Sequence, residues 1–238
     1  MTSRRTFLQT TAVAALLGQL PLSALAQSGG KMKIGIVGSG RVGSAVGGAW
    51  IKAGHEVMFS SLDLEADRKL AASLGPNAKA GTPREAAAFG PVLMISVPYR
   101  ALPAVGKDLG ELLKGKIVID TCNPFAERDG EIGVAARQKG AGIASMEYLP
   151  GARIVRAFNA IGAARMAQAH TSPGAVGMPI AGNDPEAIKV VSALIRDVGY
   201  EPVLVGTLEK MGNYLMPGTP LAGERSPEEV RKVAATLK

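Results

Sequence analysis

The chain carries one cysteine in 238 residues, Cys122, so no disulfide can form within it whatever compartment it occupies. Its place at the end of a predicted strand suits the usual fate of an unpaired thiol, burial as a small apolar group. Histidine is almost as scarce, with only His55 and His170. His55 precedes a strand, and His170 closes a helix, where a cation is favoured by the terminal carbonyls; both read as structural. There is no Gly-x-Ser-x-Gly, no Tyr-x-x-x-Lys and no paired metal-ligand spacing, and no metal is expected. Aromatics make up 4% of the residues and are not interleaved with basic runs, while the net charge of +7 is spread evenly. That excludes a nucleic-acid surface and leaves room for an anionic small molecule. No internal repeat or low-complexity tract is present.

The first residues read as an address. Ser3-Arg4-Arg5-Thr6-Phe7-Leu8-Gln9 has the form of a twin-arginine export signal. An apolar stretch from Thr11 to Leu25 follows, and Ala24-Leu25-Ala26 is a small-x-small cleavage site. The stretch is shorter than the ~20 residues a membrane span needs, and Gly18 and Pro21 interrupt it. Cleavage is therefore expected, leaving no stable span; retention as an uncleaved anchor is the other reading. The twin-arginine export machinery carries proteins already folded, and the mature protein is expected in the periplasm or outside the cell.

What is present in abundance is glycine, and three glycines carry the main signal. Lys33-Ile34-Gly35-Ile36-Val37 is a β-branched run that feeds directly into Gly38-Ser39-Gly40-Arg41-Val42-Gly43, and a helix-compatible stretch follows. Strand, Gly-x-Gly-x-x-Gly and helix in that order form a dinucleotide site. Gly38 permits the tight turn, Gly40 lets a pyrophosphate approach the backbone, and Gly43 lets the helix pack on the sheet. The helix N-terminus offers free N–H groups to the phosphates.

Beyond this unit, helices are predicted over 41–53, 63–74, 82–89, 101–113, 161–170, 185–198 and 227–237. Strands are predicted over 33–37, 55–60, 77–80, 91–97, 116–120, 152–158, 178–181 and 202–205. Thr82 with Glu85 forms a capping box, and Asp184 before Pro185 is an N-cap. The alternation predicts an α/β fold, a doubly wound parallel sheet of Rossmann type. It occupies 32–206, after the signal at 1–26 and before a short appendage at 207–238 with one helix. That tail leaves no room for the large helical domain that many dehydrogenases add, so the chemistry is expected in the crevice at the strand C-termini.

An NAD site usually places an acid at the end of the second strand to hold the ribose 2′-hydroxyl. Here that strand ends Ser60-Ser61-Leu62, with the acid Asp63 later. Serine hydroxyls can donate to a 2′-phosphate, and Arg41 opens the adjoining helix, so NADP is expected over NAD. Arg68 and Lys69 are further candidates for the phosphate. Ser60 and Ser61 also read as helix caps, and Arg41 as a solvated charge. Three strand-end loops face the same crevice: Ser96-Val97-Pro98, the loop carrying Asn123, and Ala157-Phe158-Asn159. Hydride transfer between stacked rings needs positioning and no protein base. Asn123, Phe158 and Asn159 are therefore ring-positioning candidates, with no certain catalytic group; the two asparagines also read as turn residues making local bonds.

At these residues the chain resembles the NADP oxidoreductases dependent on the deazaflavin coenzyme F-420, which share this N-terminal fold with the STEAP metalloreductase domain. The resemblance rests on Ile34 to Gly43, Ser96-Val97-Pro98, Val118-Ile119-Asp120 with Asn123-Pro124, Leu149 to Asn159, Ala181 to Asp184 and Asp197-Val198-Gly199. It implies that the glycine loop and the second-strand end hold NADP, and that the proline and Ala-Phe-Asn loops meet two stacked rings. Where that family carries Ser-Arg or Ala-Arg, this sequence has Ser61-Leu62. The resemblance implies an NADP-dependent oxidoreductase that passes hydride to a small-molecule redox acceptor, a deazaflavin or flavin-like second ring, and the twin-arginine pattern adds that it is exported. The competing expectation is a dinucleotide-binding or sensing module without turnover. A homodimer is compatible with the sequence, which does not set the oligomer.

Overall fold

The computed structural model describes residues 30–237, so the export signal read at 1–26 lies outside the described residues. Eight strands form one sheet: β1 (Lys33–Val37), β2 (Glu56–Ser60), β3 (Ala78–Ala80), β4 (Val92–Ile95), β5 (Ile117–Asp120), β6 (Arg153–Arg156), β7 (Gly177–Gly182) and β8 (Glu201–Gly206). Their spatial order is β3-β2-β1-β4-β5-β6-β7-β8. The order reverses between β1 and β4, and that is where ligands bind in open α/β sheets.

The central strands are apolar on both faces, as parallel strands covered by helices must be. On one face Ile34, Ile36, Val92, Met94 and Ile119 pack under α1 (Arg41–Lys52) and α8 (Pro185–Asp197). On the other, Leu93, Ile95 and Val118 pack under α3 (Pro83–Phe89), α4 (Leu102–Leu109) and α6 (Ala141–Tyr148). Each such fully buried side chain contributes roughly 1.5–3 kcal/mol. Trp50 ties the first layer together: its indole N–H donates to the Leu194 carbonyl at 2.9 Å, joining α1 to α8.

Local signals set the helix starts. Asp63 caps α2 (Leu64–Leu74), and Thr82 with Glu85 forms the capping box of α3. Asp184 caps α8 with Pro185 at its first position. Residues 207–237 fold back over the sheet: α9 (Leu208–Met211) and α10 (Pro227–Ala235) bury Leu208, Met211, Val230 and Ala234 in the second layer.

Two features differ from the sequence reading. β7 pairs antiparallel with β6, whereas every other pairing in the sheet is parallel. The connection from β6 holds only α7 (Ala163–Met166) and a 3-10 turn at Ala169–Thr171, in place of the single helix expected over 161–170. Without a full crossover helix the chain returns into the sheet at the end where β6 stops, and the strand direction inverts. Second, α5 (Ala126–Lys139) and α6 occupy a stretch where periodicity marks no element. α5 is mostly charged and small residues with a break at Gly130 (φ 57°), and α6 is apolar or small on nearly every side, with Glu147 its one charge. Neither shows the stripe that makes a helix legible.

Candidate functional site

The C-terminal ends of β1, β2 and β4 open onto a cleft of about 690 Å³, lined by Gly38, Gly40, Ser61, Leu62, Ser96, Val97, Pro98, Arg100 and Val105 among others. The three motif glycines have three different environments. Gly38 sits at φ +101°, and its N–H donates to the Ser60 carbonyl at 2.8 Å. A Cβ there would lie 2.2 Å from the Ser96 carbonyl oxygen. A Cβ on Gly43 would lie 2.1 Å from the Gly38 carbonyl oxygen, so α1 rests directly on the loop. A Cβ on Gly40 would meet nothing within 4 Å. The glycine there leaves bare backbone facing open space, and that cradle fits a pyrophosphate.

The helix behind the cradle is prepared for an anion. Gly40 is the N-cap of α1 without any side-chain cap, and no acid stands in the first turn. The first amides of a helix have no intrahelical partner, so those of Arg41 and Val42 are available to phosphate oxygens, supported by the helix dipole. Arg41 is exposed with no bonded partner among the described residues, while the Val42 side chain packs on the core.

The second-strand end departs from the sequence reading. Ser60 is fully buried and donates its hydroxyl to the Ile36 carbonyl at 2.7 Å, so it braces β1 against β2 and does not reach the cleft. Its carbonyl instead receives the Gly38 and Ser39 N–H groups. Ser61 does line the cleft, but its hydroxyl bonds the buried Asp67 at 2.9 Å, and Ser39 bonds the other Asp67 oxygen. The cap of α2 is Asp63, not a serine. Arg68 is paired with Glu65 on the surface, and Lys69 is exposed.

The other strand-end candidates form a separate network, in which Asn159 Oδ1 and Arg156 Nε are left without partners among the described residues. The Asn123 side-chain amide donates to the Asn159 carbonyl at 2.8 Å, and its oxygen accepts from Asn159 at 3.3 Å and Arg156 at 3.4 Å. The structure therefore brings the two asparagines together, on each other and not on the cleft lining. Ala157 is fully buried and donates its N–H to the Asp120 carbonyl at 3.3 Å. The Phe158 ring is packed edge-on against Trp50 and Tyr200, with centroids at 6.0 and 6.5 Å. The ring is thus held in the core, 1% exposed, and what Phe158 leaves at the strand end is its backbone. That backbone stands at φ +61°, a conformation costly for a bulky side chain and concentrated at functional turns.

Residues that the motif reading missed hold these loops. Arg156 and Asp120 form an ion pair at 2.5 Å, and Asp120 also accepts from Ser145 at 2.7 Å and from the Cys122 N–H at 2.8 Å. The Tyr99 hydroxyl meets Ser145 at 3.1 Å and donates to the Ala141 carbonyl at 2.8 Å. Burial, then the Asp120 charge, pushes both the Tyr99 phenol and the Cys122 thiol above their ordinary ranges. Asp129 accepts from the Phe125 N–H at 2.9 Å and the Arg100 N–H at 3.3 Å, lacing the β4 loop to the β5 loop. Burial opposes its charge, but Arg128 and those two amides prevail and hold its carboxyl below the usual range. A lone charged residue in a buried strand, as at Asp120 and Arg156, was the available sequence signal. Among the described residues no cluster could hold a metal, and no helix is long and apolar enough to cross a membrane.

Sheet order, glycine loop and uncapped helix define a Rossmann-type dinucleotide-binding protein. Comparison with known proteins carries this further. Residues 33–124 match the family NADP oxidoreductase, coenzyme F-420-dependent. The metalloreductase STEAP3 of Rattus norvegicus is 30% identical over 180 residues, 74% of this chain and 34% of that protein; the chain thus spans about a third of that relative's length. A hypothetical protein from Sinorhizobium meliloti superposes with a TM-score of 0.71 at 25% identity, over 82% of this chain and 95% of its own. A candidate F-420-dependent NADP reductase from Arthrobacter sp. FB24 superposes with a TM-score of 0.64 at 22% identity, over 76% of this chain and 87% of its own. Residues 33–124 are thus similar to the NADP oxidoreductase, coenzyme F-420-dependent family, and the superposed structures share the fold of this chain.

Proposed function

We propose that the protein passes hydride between NADP(H), held on the glycine loop, and a flat acceptor of the deazaflavin or flavin type. The observation that carries this is the open backbone at Gly40 in front of the uncapped start of α1. When bound, the nicotinamide supplies the hydride donor or acceptor. The chain's own part is binding, orientation and exclusion of water. Gly38 and Ser39 hold the loop closed on the Ser60 carbonyl, Arg41 and Val42 present amides, and Val97 and Pro98 offer an apolar wall. The buried Asp120–Arg156 network fixes the neighbouring strand-end loops.

The absence of an acid–base constellation in the sequence suits equally a module that binds the cofactor without turnover. An absorbance assay separates the two: NADPH mixed with the protein and a panel of flavin and deazaflavin acceptors loses its nicotinamide band under the first reading. A flat trace with every acceptor, from protein that binds NADPH, supports the second. The twin-arginine pattern read in the sequence supports a periplasmic or extracellular location for this chemistry. Cell fractionation of the tagged protein, with Arg4→Lys and Arg5→Lys together as control, tests that placement.

A further inference from the structure

The acid missing from the second-strand end in sequence is present in space. Asp67 lies one turn into α2, 1% exposed, directly behind the cleft wall. Its carboxylate receives the Ser39 hydroxyl on one oxygen and the Ser61 hydroxyl, at 2.9 Å, on the other. No Lys or Arg side chain bonds it among the described residues. Next to these serines stands Leu62, wholly exposed and lining the cleft.

We propose that Asp67, acting through Ser39 and Ser61, is a specificity-determining residue that lets this site take a dinucleotide with a free 2′-hydroxyl, NAD(H), alongside NADP(H). A hydroxyl has one proton and two lone pairs. The Ser61 proton faces Asp67 at 2.9 Å and the Asp63 carbonyl at 3.3 Å, and its oxygen already accepts the Asp63 N–H at 3.1 Å. What Ser61 has left for the cleft is a lone pair. A ribose hydroxyl can donate to that lone pair; an ionised 2′-phosphate, rich in acceptors and without a proton to give, cannot. The negative charge of Asp67 behind the serines disfavours the phosphate further. Leu62 supplies no opposing cation and offers an apolar surface to the adenosine. The exposed Arg41 at the far side of the loop is the group left to attract a 2′-phosphate, which keeps NADP(H) within the site's range.

This inference rests on the reading of the cleft as the dinucleotide site, and the test separates the two. Titration calorimetry of the purified protein with NADH and with NADPH gives their dissociation constants. The expected result is that the two lie within about tenfold of each other, the scale of one neutral hydrogen bond gained or lost. Asp67→Asn removes the charge and returns a hydroxyl proton to the cleft, so the NADPH-to-NADH preference rises by about tenfold. Leu62→Arg tightens NADPH and leaves NADH unchanged, which locates the ribose at this wall. Ser61→Ala, should Asp67→Asn fail to fold, weakens NADH and spares NADPH. A merely structural Asp67 would weaken both nucleotides together, and that outcome overturns the proposal, as does a wild-type preference for NADPH beyond about a hundredfold. Binding of neither nucleotide overturns the dinucleotide reading itself.

Discussion

Arg156 and Asp120 meet at 2.5 Å on neighbouring strands with neither side chain exposed to solvent. The guanidinium also donates to the Cys122 carbonyl at 3.0 Å, while its Nε–H has no hydrogen-bond partner. An ion pair this deep adds little net stability over an apolar filling, yet removing one partner strands the other charge. Arg156→Met or Asp120→Leu should each destabilise the protein by about 3–5 kcal/mol, read as a fall in the urea midpoint at unchanged slope. The double replacement should recover part of that loss. If the single variants unfold with the wild type, the pair is not the strut between the β5 and β6 loops that its geometry indicates.

The motif glycines should separate into stability and binding roles. Gly43→Val drives a side chain onto the Gly38 carbonyl and should cost about 1–3 kcal/mol as over-packing, seen as a lowered thermal midpoint. Gly40→Asp meets open space and supplies the cap that α1 lacks, so its thermal midpoint should hold or rise. Equal destabilisation by both would show that the space at Gly40 is not open.

Cys122 should resist modification in the folded protein. It is 2% exposed, and burial raises its thiol, so the thiolate that would react is scarce. A disulfide reagent should label it only as denaturant unfolds the chain, with the labelling curve tracking loss of helical circular dichroism. Rapid labelling under native conditions would contradict the burial of the whole Asp120 network.

Acid should weaken one specific link. Arg153 donates twice to Asp184, at 2.7 Å each, and with the Ala187 N–H holds that carboxyl down to about 2. A folded-state pKa below the unfolded value of about 3.9 contributes stability above that value and loses it as pH falls toward 2. Asp184→Asn keeps the cap but not the charge. It should cost at most ~1 kcal/mol at neutral pH, because the pair is about a third exposed and solvent screens it. The gap to wild type should close between pH 4 and pH 2, measured by urea unfolding at each pH.

The sheet and the glycine loop were legible because each rests on local chemistry. An apolar run buried on both faces reads as a central strand, Gly38 and Gly43 are placed by close backbone approaches that a side chain would block, and Gly40 leaves the loop open for a ligand. Thr82 with Glu85 and Asp184 with Pro185 mark helix starts for the same reason. The reversal of β7 was not legible, since strand direction depends on whether a connection crosses the sheet and not on the strand's own residues. The helices α5 and α6 lack an apolar stripe. At the site, Phe158 was placed correctly in chain order but its ring turns into the core, a choice made by Trp50 and Tyr200 from distant segments. Asp67 escaped notice because a carboxylate one helical turn past a strand end reaches the strand only once α2 has docked.

The central claim is that a diphosphate rests on the bare backbone at Gly40. Titration calorimetry of NADPH into wild-type protein and into Gly40→Asp tests it most directly. The wild type should give a saturable heat, and the folded variant, whose carboxylate fills and repels the phosphate position, should give none. Equal saturable heats from both proteins would place the nucleotide elsewhere and contradict the account.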